Sequence, residues 1–241
     1  MRWALALLAL VVALAGCGGN GGNGDEELIV YAAASLTEVF QELAPDGRFN
    51  FAGSDELATQ LREGVDADVY AAASPRYPEE LFEEGLVDEP RIFATNRLVL
   101  VVPRENPAGI RSVRDLGADG VRLVLGAEGV PIGDYTRTVL ENLGASDVLA
   151  NVVSQEEDVK GVAGKVALGE ADAGFVYATD VKPAEDDVVA IELPAEAQAE
   201  VRYPVAVVAG TEDRGAAEAF VDLLLSEEGR RVLRKAGFGL P

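Results

Sequence analysis

The chain of 241 residues contains no histidine. A Ser-His-Asp triad, a histidine general base and a zinc site with histidine ligands are therefore excluded. Carboxylate catalysis stays open in principle, because aspartate and glutamate together number 42. Most of them lie in helical patterns such as "PEELFEEG" (78–85), where charged side chains usually form a solvated face. We therefore expect that the protein is not an enzyme.

Cysteine and positive charge are also scarce. Cys17 is the one cysteine of the sequence, so the rest of the chain has neither a disulfide nor a thiol nucleophile. Lysine and arginine number 20 against the 42 acidic residues, which gives a net charge of −22. Such a surface repels nucleic acid, and we expect no nucleic-acid partner. A small anion can still bind in a closed pocket, where local dipoles dominate.

The apolar run Ala4 to Ala15 is too short for a secure transmembrane helix and follows Arg2, as in a signal peptide. It ends in Leu14-Ala15-Gly16-Cys17, which resembles the lipobox of bacterial lipoproteins. This predicts a signal peptide over residues 1–17 with lipidation at Cys17, and the alternative is an ordinary secretory signal. Residues 18–26 are rich in Gly and Asn and predict a flexible tether. The folded part is then expected outside the cytoplasmic membrane, held there by a lipid anchor.

Apolar strand-like runs alternate with helical patterns along the rest of the chain, which predicts an α/β fold with largely parallel sheets. Two such cycles flank the apolar runs "RLVLVVP" (97–103) and "YPVAVVAG" (203–210). We therefore predict two lobes joined by crossings near 96–107 and 192–203, with the ligand site in the cleft between them. The first lobe would comprise residues 27–100 and 203–241, including one long terminal helix, and the second lobe residues 101–202.

The segment "YAAASLTEVFQELA" (31–44) passes from a strand through small residues into a helix. Ser35 and Glu38 have the spacing of a capping box, which predicts Ser35 as the N-cap. Two interpretations stay open for this segment alone: close packing of helix on sheet, or an anion site at the helix start.

The same pattern of small residues before a helix start recurs three times. It is found in "AGS" at Ser54, in "GVPIG" around Ile132 and in "QEEDV" around Val159. Each helix start offers unpaired amides and a partial positive charge. Any one of them is a weak signal, but their recurrence favours an anion site.

Seven segments lie along the mature chain in a fixed order: "VYAAASLTEVFQELA", "FAGSDELATQL", "ADVYAAAS", "LVLVVPRENP", "GVPIGDYTRTVLENLG", "EDVKGVAGKVALGEADAGFVYATDV" and "YPVAVV". In their composition and order they resemble the molybdate-binding proteins of bacterial ABC transporters. The resemblance implies a type II periplasmic-binding-protein fold whose two lobes close on a tetrahedral oxyanion. It also implies binding by neutral donors, without arginine or lysine.

Five ligand-binding positions follow from this resemblance: the hydroxyls of Ser35, Ser54 and Tyr177, and the backbone amides of Ile132 and Val159. The implied ligand is molybdate or tungstate, with no separate cofactor and no free metal cation. The implied partners are an ABC transporter permease and its ATPase, and we expect a monomer.

The sequence departs from the family at acidic residues near two of these positions. Asp55 and Glu56 follow Ser54, where they favour the helix dipole but would oppose an anion if they faced the cleft. Residues 156–158 raise the same question beside Val159. More distant relatives complete an expanded coordination shell with carboxylates, whereas the "EDV" match favours tetrahedral binding.

Two rival functions are left by the sequence. The first is a binding lipoprotein for sulfate, phosphate or an organic acid. An organic carboxylate would call for a cleft-facing arginine, for which Arg97, Arg104 and Arg202 are candidates. The second is a hydrolase, which would need a close pair of acids in the cleft. We expect a packing role for Asp68, and Tyr203 is interpreted as entry to a buried strand.

Overall fold

A computed structural model describes residues 28–241. The predicted signal peptide and tether, with Cys17, lie outside the described residues. Between residues 28 and 241, no helix has the length and apolar character needed to cross a membrane.

The described residues form ten strands and eight α-helices that alternate along most of the chain. The strands are β1 (Ile29–Ala33), β2 (Arg48–Ala52), β3 (Val69–Ala71), β4 (Arg91–Asn96), β5 (Leu98–Pro103), β6 (Leu123–Gly126), β7 (Val152–Glu156), β8 (Ala173–Tyr177), β9 (Val188–Glu192) and β10 (Val201–Val207). The helices are α1 (Thr37–Leu43), α2 (Ser54–Arg62), α3 (Arg76–Glu83), α4 (Pro131–Asn142), α5 (Val159–Ala167), α6 (Ala178–Val181), α7 (Arg214–Leu225) and α8 (Glu227–Ala236).

Two five-stranded sheets divide the molecule into two lobes. The order is β2-β1-β3-β10-β4 in the first sheet and β7-β6-β8-β5-β9 in the second. In each sheet four strands run in one direction and one runs against them, β10 in the first and β5 in the second. The reversed strand lies between two others, so both sheets are mixed. The predicted two-lobed type II fold is confirmed.

The reversed strands are those that follow the two crossings between the lobes. The first crossing lies between Asn96 and Leu98, and the return lies between Glu192 and Val201. The boundaries at 100/101 and 202/203 fall inside β5 and β10, each of which pairs within one sheet over its length. We therefore propose to divide the lobes at Arg97 and at Glu200.

The chain end returns to the first lobe, where the terminal helix was expected. Phe220 of α7 packs edge-on against Phe40 of α1, with ring centroids 5.4 Å apart. The last residues pair with β4, because Gly239 and Thr95 exchange two backbone hydrogen bonds of 2.9 Å. The end of the chain thus closes the core of the first lobe.

The prediction of one long terminal helix is wrong. The helix breaks at Ser226, whose extended backbone (ψ 168°) ends α7. Its Oγ atom accepts a hydrogen bond from the Gly229 amide and so caps α8. The apolar pattern continues through the break, which is why periodicity alone did not reveal it.

Candidate functional site

A small cavity between the lobes contains all five predicted site residues on its walls. Residues 33–35, 52–54 and 73 line it from the first lobe, and residues 130–132, 158–159 and 177 line it from the second. Its free volume is about 20 Å³. This is slightly more than the roughly 10–15 Å³ that one water requires. The enclosed space therefore suits a very small ligand.

Larger hollows exist, and two of them belong to a single lobe. One on the first lobe is lined by residues such as Asp66 and Glu212, and one on the second by residues such as Arg104 and Asp187. Neither contains a predicted site residue. A third hollow lies between the lobes and is lined by Ser35, but by none of the other four predicted site residues.

Ser35 lies directly beyond β1 and is 4% exposed. The predicted capping box is wrong, because Ser35 sits inside a short 3-10 helix (Ala34–Leu36) and its side chain caps no helix. Its Oγ atom lies 3.1 Å from the hydroxyl of Tyr203 instead. Glu38, the other half of the expected box, forms an ion pair with Lys160 at 2.6 Å.

Ser54 opens α2 directly after β2 and is 1% exposed. It does not cap the helix, since the N-cap is Gly53 and no side-chain cap is formed. Its Oγ atom accepts a hydrogen bond from the amide of Ala73 (3.0 Å), and its carbonyl accepts one from Tyr70 (2.6 Å). With its oxygen satisfied, the Ser54 hydroxyl still has a hydrogen to donate to the cavity.

The second lobe presents two helix starts to the cavity. Ile132 and Val159 lie in the first turns of α4 and α5, where backbone amides have no intrahelical carbonyl partner. Close packing holds α4 in place, because a Cβ atom on Gly133 would lie 2.1 Å from the Ala127 carbonyl. Ile132 and Val159 thus line the same small cavity at the positive ends of two helix dipoles.

Tyr177 ends β8 and is 1% exposed. Its hydroxyl is buried and has no hydrogen-bond partner among the described residues. Burial raises the pKa of Tyr177 well above its usual range, so the phenol keeps its proton and stays a donor. A buried donor without a partner is costly in a folded protein, unless a ligand supplies the acceptor.

The cavity wall is almost free of charge. Neither arginine nor lysine lines it, and its one charged residue, Asp158, uses Oδ1 to accept a hydrogen bond from the Gly161 amide (2.8 Å). Glu156 is occupied by Lys165 (2.8 Å). The wall therefore lacks the acid pair of a hydrolase, and its single carboxylate caps α5 through Oδ1.

Asp55 lies at the rim of the cavity rather than on its wall. Burial raises its pKa, and the charges of Asp134 and Glu157 on the opposite lobe raise it further. One of its oxygens, Oδ1, is buried without a partner among the described residues. The departure from the family at this position thus affects the rim, where the lobes meet, and leaves the wall unchanged.

The three arginines near the crossings are all engaged elsewhere. Arg97 pairs with Glu192, and Arg202 with Glu200. Arg104 donates to the Glu185 carbonyl (2.7 Å). The organic-acid alternative thus lacks the cleft-facing arginine on which it depended.

Two further residues, Asp68 and Tyr203, were expected to have structural roles and not to bind the ligand. Asp68 accepts from the Ile29 amide (2.7 Å) and from Thr211 (2.5 Å), in line with its expected packing role. Tyr203 was expected only to enter a buried strand, yet it contacts Ser35 and Tyr177. Because 168 positions separate it from Ser35, no local pattern could have shown this contact.

The lobes are closed on each other. A Cβ atom on Gly53 would lie 2.4 Å from the Glu157 carbonyl, so the backbones of the two lobes are in direct contact. At the rim Tyr77 donates a hydrogen bond to the Gly129 carbonyl, and Lys160 pairs with Glu38 across the gap. These contacts hold the two lobes together around the cavity.

Comparisons with known proteins agree with this architecture. Residues 28–239 match the model of the family described as "Bacterial extracellular solute-binding protein". The chain is 36% identical over 224 residues to the molybdate-binding protein ModA of Mycobacterium tuberculosis (strain H37Rv), a match that covers 89% of this chain and 85% of the relative. It is 31% identical over 228 residues to ModA of Escherichia coli (strain K12), with 88% of each chain covered.

A solved structure supports the fold. The periplasmic molybdate-binding protein of Azotobacter vinelandii superposes with a TM-score of 0.79 at 21% identity, over 89% of this chain and all of the other. The family consists of solute-binding proteins, which confirms the expectation that the chain is not an enzyme. With a family match over nearly the whole described chain and two closed lobes around a small neutral cavity, the chain belongs to the bacterial extracellular solute-binding proteins.

Proposed function

We propose that the protein captures molybdate, or tungstate, between its lobes outside the cytoplasm and delivers it to an ABC transporter permease and its ATPase. The relatives named above as molybdate-binding proteins support the ligand class. The observation that carries the proposal is the Tyr177 hydroxyl, buried at the cavity without a protein partner. A tetrahedral oxyanion provides the missing acceptor.

In this proposal five neutral donors surround the ligand. Ser35 and Ser54 donate from the first lobe, and Tyr177 donates together with the Ile132 and Val159 amides from the second. Donors that meet a full negative charge form strong hydrogen bonds in a dry site. Because no cationic side chain lines the cavity, the ligand is held without a fixed ion pair and can be released once the lobes open.

The donor set also explains a preference among oxyanions. Hydrogen phosphate carries a P–OH group that needs an acceptor, whereas the wall offers mainly donors and a single carboxylate, Asp158, which caps α5 through Oδ1. Molybdate, tungstate and sulfate are fully deprotonated at neutral pH and need donors alone. Sulfate is the smaller of these ions, so a cavity set for Mo–O or W–O lengths leaves its hydrogen bonds slack.

The mode of attachment completes the proposal. Cys17 becomes the lipidated first residue of the mature protein, and residues 18–26 tether the folded part to the membrane surface. The protein acts as a monomer, because both walls of the site come from one chain.

Calorimetric titration of the soluble domain, beginning after Cys17, with molybdate, tungstate, sulfate and phosphate tests the function. We expect tight one-to-one binding of the first two ions and little heat from the others. Binding of sulfate or phosphate in their place would keep the fold and overturn the ligand. No heat from any of the four ions would contradict oxyanion binding altogether.

A further inference from the structure

Tyr203 contacts one candidate ligand-binding residue from each lobe. It belongs to β10 of the first lobe and is fully buried. Its hydroxyl lies 3.1 Å from the Oγ atom of Ser35. Its ring lies edge-on to the ring of Tyr177 on the second lobe, with centroids 5.9 Å apart and planes at 67°. Tyr203 itself does not line the cavity.

A half-buried amide extends this contact to the crossing between the lobes. Asn96 ends β4 at the first crossing, and its Nδ2 atom lies 3.4 Å from the Tyr203 hydroxyl and 2.9 Å from Oγ1 of Thr179. Thr179 follows Tyr177 by two residues. A continuous path of hydrogen bonds therefore joins Ser35, Tyr203, Asn96 and Thr179 behind the cavity.

The direction of these hydrogen bonds follows from what each group can donate. The Nδ2 atom of Asn96 has hydrogens but no lone pair, so the Tyr203 oxygen accepts from it. The Ser35 oxygen is the one acceptor found within hydrogen-bond distance of the Tyr203 hydroxyl among the described residues, which favours donation from Tyr203 to Ser35. Burial raises the pKa of Tyr203 well above its usual range, so this hydrogen is retained. The hydrogen of Ser35 is left to face the cavity, just as Ala73 leaves the hydrogen of Ser54 free.

We propose that Tyr203 is a positioning residue of the oxyanion site, which orients the Ser35 hydroxyl as a donor and holds the Tyr177 ring in place. The inference rests on the proposed function and goes beyond it, because Tyr203 does not touch the ligand. Without the Tyr203 hydroxyl, the Ser35 side chain loses the contact that fixes its rotamer and is free to turn its hydrogen away from the cavity. The ligand then loses the Ser35 donor even though Ser35 is still present.

A double-mutant cycle with molybdate tests this inference in the soluble domain. Tyr203→Phe should weaken molybdate binding roughly 5- to 10-fold, about the net contribution of one ordinary hydrogen bond, because Ser35 is still present but no longer oriented. Ser35→Ala should weaken it at least as much. In the Ser35→Ala background, Tyr203→Phe should change affinity by less than about 2-fold, because the group it orients is already gone. Tyr31→Phe, at a buried tyrosine in the same sheet, should bind like the wild type.

The outcomes separate this inference from the proposed function. An equal loss from Tyr203→Phe with and without the Ser35 hydroxyl would assign Tyr203 a general packing role and overturn the inference alone. A wild-type domain that binds no molybdate would overturn the proposed function and the inference together. If Tyr203→Phe fails to fold, Asn96→Ala takes its place in the cycle. It should weaken binding about 3-fold or more in the presence of Ser35, and unchanged binding would contradict the inference.

Discussion

Three hydroxyls at the cavity differ in how the protein satisfies them. The oxygen of Ser54 accepts from the Ala73 amide, and that of Ser35 lies within hydrogen-bond distance of Tyr203. Tyr177 has no partner among the described residues. The hydroxyls of Ser35 and Ser54 thus have protein partners. The hydroxyl of Tyr177 is an unpaired polar group, for which the proposed ligand supplies the acceptor. Their substitution should therefore affect stability and binding differently.

Tyr177→Phe removes a buried hydroxyl that has no protein partner. Without ligand, we expect the thermal stability to stay the same or to rise, because an unpaired polar group is lost. Molybdate binding should weaken by about 1–3 kcal/mol, because the ligand loses a donor. Thermal unfolding without ligand and calorimetric titration measure the two effects. A clear loss of stability in the ligand-free variant would show that the hydroxyl has a partner in the protein.

Ser54→Ala should reduce stability as well as binding. The buried amide of Ala73 loses its acceptor, at a cost of about 1–3 kcal/mol in the free energy of unfolding. Ser146→Ala, at an exposed position, should stay within about 0.5 kcal/mol of the wild type. Urea unfolding of both variants makes the comparison. Equal stability of Ser54→Ala and Ser146→Ala would argue against the Ala73 hydrogen bond.

At the residue scale, the sequence predicted which residues line the cavity better than it predicted their hydrogen-bond partners. All five candidate residues line one cavity, because the carboxyl ends of neighbouring parallel strands meet in space. Ser35 was nevertheless assigned to a capping box, since the four-residue pattern is local and its true partner, Tyr203, is 168 positions away. Long-range pairing of this kind leaves no trace in local spacing.

At the scale of elements, the two helix starts of the second lobe are fixed by close contacts. The start of α4 packs against the end of β6 so tightly that Gly133 has no room for a side chain. Asp158 caps α5 by accepting a hydrogen bond from the Gly161 amide, and this fixes the start of the helix, where Val159 lies. The position of both donors thus depends on backbone packing rather than on the side chains of Ile132 and Val159.

Gly133→Ala should therefore displace the start of α4. Overpacking at this site should cost about 1–3 kcal/mol in stability and should weaken molybdate binding, because the Ile132 amide moves. The matched control is Gly164→Ala in the interior of α5, where an added Cβ atom meets nothing within 4 Å. This control should bind normally and gain roughly 0.5–1 kcal/mol. Calorimetry with thermal unfolding checks both, and normal binding by Gly133→Ala would disprove the packing argument.

Elements with strong apolar patterns were predicted, but the two edge strands β4 and β9 were missed. The sequence analysis did not assign β4 or β9, which lie at the edges of the two sheets. Their burial patterns are irregular, with exposed or half-buried residues at both ends of β4 and along most of β9. An edge strand is paired on one side only, so its sequence is less constrained than that of a central strand.

At the scale of the whole molecule, closure brings charged groups of both lobes together near a buried carboxylate. Asp180 of α6 is 3% exposed, and neither of its oxygens has a hydrogen-bond partner among the described residues. Lys160 of α5 lies 3.6 Å from its Oδ1 atom and pairs with Glu38 of α1. The charge of Asp180 also contributes to the raised pKa values of Tyr177 and Tyr203. Burial raises the pKa of Asp180 to about 7, against the lowering effect of Lys160.

Asp180→Asn should change how stability depends on pH. The folded wild type binds this proton more tightly than the unfolded chain, so Asp180 costs stability as the pH rises from about 4 to about 7. The asparagine variant lacks this cost. Its advantage should be near zero at pH 4 and should level off at about 2–4 kcal/mol above pH 7. Urea unfolding of both proteins across this range measures it, and a difference independent of pH would refute the assignment.

The two-lobed plan could be predicted because two long apolar runs, now β5 and β10, each follow a crossing. The reversed direction of these two strands in their sheets could not be predicted, since a run of apolar residues carries no information on strand direction. The observed crossings lie within the predicted ranges 96–107 and 192–203, but the first could not be narrowed from the sequence, because β5 begins directly after β4 with only Arg97 between them.

The most direct test of molybdate capture is the molybdenum content of the purified soluble domain after dialysis. The domain is exposed to molybdate in the presence of a large excess of sulfate and phosphate, and free ions are then removed. The account predicts about one molybdenum atom per chain, a value that Tyr177→Phe should lower and Tyr31→Phe should retain. Molybdenum at background level in the wild-type domain would contradict it.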